Sequence, residues 1–168
     1  MAEDWKISKG SLAEQYESCI TQLRALLATE DYLIARMANT AAALHTQFQW
    51  LWTGFYLVRN NMLVLGPFQG PIACMSIPFG KGVCGTSWKE NKTLIVPDVN
   101  LFPGHIACSS LSRSEIVIPL HASDDPTQVV GVLDIDSQHV GSFDETDQYY
   151  LEQIASLVME NYHLDSLS

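Results

Sequence analysis

Two runs of strand-forming residues, 114–121 and 128–137, are separated only by Ala122-Ser123-Asp124-Asp125-Pro126-Thr127, a polar link rich in turn formers. Aliphatic and β-branched residues at this density on either side of such a link predict an antiparallel hairpin. Side chains alternate between the two faces of a strand, so the hairpin decides which residues meet. In the second run Val130, Val132, Asp134 and Asp136 share a face; in the first, Glu115, Val117 and Pro119 do. Centring the turn between Asp124 and Asp125 sets Glu115 opposite Asp134. Three carboxylates then gather on an otherwise apolar wall.

The rest of the chain has to cover that sheet. Residues 11–27 carry Leu12, Tyr16, Cys19, Ile20, Leu23, Leu26 and Leu27 at three- and four-residue spacing, and residues 31–50 repeat the pattern with Leu33, Ile34, Met37, Ala41 and Leu44. Both predict amphipathic helices, with Cys19 a small core hydrophobe. Residues 52–59 and 62–65 predict a second hairpin, because Asn60-Asn61 tolerates the positive φ of a tight turn. The ladder is expected to break over Gly66-Pro67-Phe68-Gln69-Gly70-Pro71. A short strand over 74–77 follows, then a helix from Val83 to about Asn91 with Cys84 in its first turn, and a short strand over 94–96. Asp144 can cap a last helix whose apolar stripe is Leu151, Ile154, Leu157 and Val158. Helix, helix, hairpin, mixed middle, hairpin, helix is the order of an α+β domain with helices against an antiparallel sheet. One domain is expected over residues 1–168.

The net charge of −10 argues against nucleic acid and anionic membrane as partners, since both require clustered Lys and Arg. Met1-Ala2-Glu3-Asp4-Trp5-Lys6 has acids and no apolar run, so no secretory signal is expected and the expected location is cytoplasmic. There, four cysteines are expected to be free, metal-bound or catalytic rather than structural cross-links. Cys74, Cys84 and Cys108 lack the C-x2-C spacing of zinc sites, with His105 the one plausible fourth ligand, so no metal is expected.

The chemistry centres on thiols and acids. Cys108 follows the turn of Phe102-Pro103-Gly104-His105-Ile106-Ala107, with Arg113 close behind, which favours an accessible thiol of lowered pKa. Cys84 has a rival claim through Lys81 and a helix N-terminus, and the choice between them stays open. The clustered carboxylates cannot all ionise comfortably, so at least one is expected to keep its proton near neutrality and serve as a general acid. The remaining negative charge suits a cationic group such as an amino acid's ammonium.

Four motifs, Gly80-Lys81-Gly82-Val83-Cys84-Gly85, the turn ending at Cys108, Ser114-Glu115-Ile116-Val117 and Gly131-Val132-Leu133-Asp134-Ile135-Asp136-Ser137, together resemble the free methionine-(R)-sulfoxide reductases. The resemblance implies a GAF-type antiparallel sheet with the N- and C-terminal helices packed on one face. It implies Cys108 as the cysteine oxidised to a sulfenic acid and Cys74 as its disulfide partner, while Cys84 matches a third cysteine of varied assignment. Glu115, Asp134 and Asp136 resemble the family's substrate carboxylates, and Trp52 and Tyr56 its pocket aromatics. The implied substrate is free methionine sulfoxide and the implied partner a thioredoxin-type reductant, with no cofactor; a homodimer stays an open option. Two rival expectations remain. A GAF domain can bind a small ligand without chemistry, and a thiol peroxidase would use the same cysteines but leave the acids idle.

Overall fold

The computed structural model describes residues 4–106 and 108–163. Met1-Ala2-Glu3 of the N-terminal stretch and Ala107 of the motif before Cys108 lie outside the described residues. Strands β1 (Trp52–Arg59), β2 (Met62–Gln69), β3 (Ser76–Pro78), β4 (Leu94–Val96), β5 (Ser114–Ala122) and β6 (Asp125–Ser137) form one antiparallel sheet in the order β3-β2-β1-β6-β5-β4. The long hairpin β5–β6 and the strand β1 thus occupy the middle of the sheet, where both faces are covered.

Helices α1 (Leu12–Leu27), α2 (Leu33–Phe48) and α4 (Glu145–Val158) cover one face, their apolar stripes meeting Phe55, Leu57, Ile116, Ile118, Leu133 and Ile135. Burial of each such side chain is worth about 1.5–3 kcal/mol, so this layer supplies most of the driving force for folding. Cys19 sits fully inside it. Reciprocal caps start two of the helices: Ser11 with Glu14 for α1, and Asp144 with Asp147 for α4. Tyr16 donates to the Asp147 carboxylate at 2.6 Å, tying α1 to the start of α4. Arg36 is buried and donates to the carbonyls of Leu27, Glu30, Leu157 and Val158, binding the ends of α1 and α4 to α2. No helix among the described residues is long and apolar enough to cross a membrane.

The other sheet face carries Trp52, Tyr56, Val117 and Val132 against Val83 and Cys84 of α3 (Gly82–Glu90) and against Val99 of the 3-10 turn Val99–Leu101. Two expectations need correction. The β5–β6 turn is tighter than the six-residue link predicted: Ala122 pairs with Asp125, and register shifts beside His121 then give β6 extra residues relative to β5. As a result Glu115 pairs with Asp136 and Val117 with Asp134, two residues from the expected register. Val130 falls within the irregular stretch and turns to the helical face. Nor does Gly66-Pro67 end β2, which runs on to Gln69, because a register shift opposite Gly54–Tyr56 accommodates the proline without a lost ladder bond at that point.

Candidate active site

The second face of the sheet forms the floor of a pocket of about 560 Å³ measured out to its open mouth. Glu115, Asp134 and Asp136 rise from the floor, Trp52 and Tyr56 stand on β1, Cys84 comes from the first turn of α3, and Cys108 with His105 comes from the loop above. Alternation explains the grouping, since Glu115 on β5 and Asp134 and Asp136 on β6 point the same way from adjacent strands. Gly54 makes room for the aromatic wall: a Cβ there would lie 2.5 Å from Cη2 of Trp52 and also strike the Phe68 Cβ. Trp52 stacks between Tyr56 and Phe68, with ring centroids 5.9 and 5.3 Å away.

The acids are more deeply enclosed than the hairpin pattern required. Burial first, and then the neighbouring carboxylates Asp134 and Asp136, push the Glu115 pKa well above the carboxylate range. Burial and the charge of Asp136 do the same to Asp134. Asp136 is raised only to about 6, because the hydrogen bond it accepts from Ser112 offsets part of the burial cost. Near neutrality the cluster therefore holds protons as well as charge. Asp134 Oδ1 and Trp52 Nε1 are buried and have no hydrogen-bond partner among the described residues.

The thiols divide into two kinds. Cys74 and Cys108 form a disulfide, with Cα atoms 5.3 Å apart, that ties the segment before β3 to the loop before β5. Tyr56 donates its hydroxyl to the Cys74 carbonyl at 2.9 Å, and burial keeps that phenol neutral. Cys84 is free and buried, donating to Glu115 Oε1 at 3.8 Å. Burial, followed by the charges of Asp134 and Glu115, pushes its thiol well above the ordinary range. The activated Cys84 expected from Lys81 and the helix N-terminus is thus not found, since desolvation beside carboxylates outweighs a helix dipole. His105 lies 3.9 Å from Glu115 Oε2, but burial pulls its imidazole below its usual value, so it is a weaker source of positive charge for Cys108 than expected.

The structure brings Trp52, Tyr56, Cys84, Cys108, Glu115, Asp134 and Asp136 to one pocket, and Cys74 joins them through its disulfide to Cys108, whereas Arg113 does not line it. Ser112 escaped notice because a serine in the Ser-rich stretch 109–114 has no periodic signal; only its hydroxyl on Asp136 reveals it. Ile72 and Ala73, which close the pocket wall, were equally silent.

Residues 28–160 match the GAF domain model. The chain is 58% identical over 159 residues to GAF domain-containing protein A of Dictyostelium discoideum, covering 94% of this chain and 99% of that one. It is 45% identical over 144 residues to the free methionine-R-sulfoxide reductase of Escherichia coli, covering 85% and 86%. The Neisseria meningitidis free methionine-R-sulfoxide reductase, solved in complex with its substrate, superposes with a TM-score of 0.90 at 47% identity, with 95% of each chain covered. On sequence and on fold alike, the chain belongs to the free methionine-R-sulfoxide reductases of the GAF domain family.

Proposed function

We propose that the protein reduces free L-methionine-(R)-sulfoxide to methionine, with Cys108 as nucleophile and Cys74 as resolving thiol. The observation that carries the proposal is the position of the Cys74–Cys108 pair at the mouth of a pocket whose floor is a partly protonated carboxylate cluster. In the reduced enzyme the Cys108 thiolate attacks the sulfoxide sulfur, while a protonated Glu115 or Asp134 delivers its proton to the oxygen. The hydroxyl oxygen then passes to Cys108 Sγ as its bond to the substrate sulfur and the transient S–S bond both break, so methionine leaves and Cys108 becomes a sulfenic acid. The Cys74 thiol then displaces that oxygen as water and forms the disulfide. A thioredoxin-type dithiol returns two electrons and two protons by exchange. Such recycling fits a cytoplasmic setting, where dithiol reductants operate.

The remaining charge, carried first by Asp136, faces the substrate's ammonium, and the apolar aromatic wall of Trp52 and Tyr56 receives its side chain. Buried carboxylates left opposite a neutral amide would lose their counter-charge. The enzyme is therefore expected to turn over free methionine-(R)-sulfoxide and nearly ignore N-acetylmethionine sulfoxide and peptide sulfoxide, while rejection of the S epimer is expected from the family resemblance alone. Methionine formation with dithiothreitol as reductant measures this. Equal turnover of free and acetylated substrate would remove the ammonium role from Glu115, Asp134 and Asp136, and turnover of neither would favour a ligand-binding GAF domain.

A further inference from the structure

We propose that the exposed apolar side chains around the Cys74–Cys108 disulfide form the docking surface for the protein dithiol that reduces it, a small reductase whose contact face is apolar at its thiol and acidic at its margin. The inference rests on the reductase reading above. Ile72 and Met75, beside Cys74, are 91% and 80% exposed, and Leu101 and Leu111, on the segment that carries Cys108, are 80% and 56% exposed. Large apolar residues this exposed are unremarkable singly, but their gathering on two segments joined by one disulfide marks an interaction site. Ile72 also lines the pocket, whereas Met75, Leu101 and Leu111 do not, so the substrate does not account for them.

Charge selects the partner. The chain holds 19 Asp and Glu, yet none falls in residues 60–89 or 99–114. Those two stretches present Lys81, Lys89 and Arg113 to solvent. An acidic protein, otherwise repelled by a chain of net charge −10, meets three exposed bases and no carboxylate along these two stretches. A small dithiol needs no apolar collar to reach a half-buried disulfide, whereas a protein must seat its thiolate in line with the S–S bond. The partner's thiolate attacks one sulfur, forming a mixed disulfide and releasing the other as a thiolate. The partner's second thiol then closes the partner's own disulfide, leaving both Cys74 and Cys108 reduced.

The test compares Met75→Ser with Leu111→Ser, and Leu111→Glu with Leu111→Lys, in two assays of methionine sulfoxide reduction: one driven by dithiothreitol, one by bacterial thioredoxin with its reductase and NADPH. With dithiothreitol, all four variants are expected to match the parent. With thioredoxin, the two serine variants together are expected to raise its KM about tenfold at unchanged kcat, the loss of about 1.4 kcal/mol of contact. Leu111→Glu is expected to be worse than Leu111→Lys, and the KM of the parent for thioredoxin to rise with salt. Unchanged thioredoxin kinetics in the presence of normal dithiothreitol turnover would overturn the docking surface and leave the proposed activity intact. So would an equal fall in both assays, or variants that only change self-association. Absence of dithiothreitol turnover in the parent would instead overturn the activity, and the docking surface with it.

Discussion

At the scale of single residues, roles follow from what surrounds each group. Replacing the proposed nucleophile, Cys108→Ser, is expected to abolish turnover, while Cys74→Ser should release one methionine per enzyme and then stall with thioredoxin; rapid-quench counting of methionine separates the two. Buried Cys84, its thiol held up by desolvation and acids, is expected to retain no activity in the Cys108→Ser background. The acids make a second prediction. Asp136 is raised from an ordinary 3.8 to about 6 by burial, so the folded state prefers its protonated form. That preference stabilises the fold fully below about pH 4 and is lost as pH rises through 6, a difference on the order of 2–3 kcal/mol. Asp136→Asn, which keeps the neutral shape, should therefore melt higher than the parent at pH 8 and lose that advantage at pH 4. Its turnover should follow a pH profile of different shape, and a merely scaled profile would deny the cluster a part in proton transfer.

At the scale of elements, the site depends on strand register. Face assignment was legible from alternation, which is why Glu115, Asp134 and Asp136 could be grouped before any pairing was known. The pairing itself was not, because the shifts beside His121 depend on how α4 and the β5–β6 turn pack and carry no sequence mark. Pro67 misled for a related reason: a proline ends a strand only where its missing N–H would have been paired. Gly54 is where register and pocket meet. Gly54→Ala should push Trp52 off its stack with Phe68, lowering Tm by several degrees and raising the substrate KM more than it lowers kcat. Thermal melts beside steady-state kinetics with dithiothreitol check it, and an unchanged KM would separate the wall from substrate binding.

At the scale of the whole molecule, one disulfide joins loops that the helices and sheet leave far apart in sequence, with a separation of 34 residues. Closing a loop of that length removes about 3–4 kcal/mol of chain entropy from the unfolded state. Reduction should thus lower Tm by roughly 6–16 °C, at 2–4 °C per kcal/mol for a chain of this size, and Cys74→Ser should abolish the difference between calorimetric scans with and without reductant. The local and periodic features were legible in the chain alone: helices at their three- and four-residue spacing, strands at period two, the capping of α4 by Asp144, and three carboxylates on one face of the central hairpin. Those features follow from the chain's own backbone geometry and need no neighbour. The tertiary structure alone decided the register, the enclosure that raises the acids, the inert setting of Cys84, the hydroxyl of Ser112 on Asp136 and the anchoring of three helices by Arg36. Each of these depends on desolvation or contact between residues remote in sequence, and burial by distant segments leaves no periodic trace in the chain.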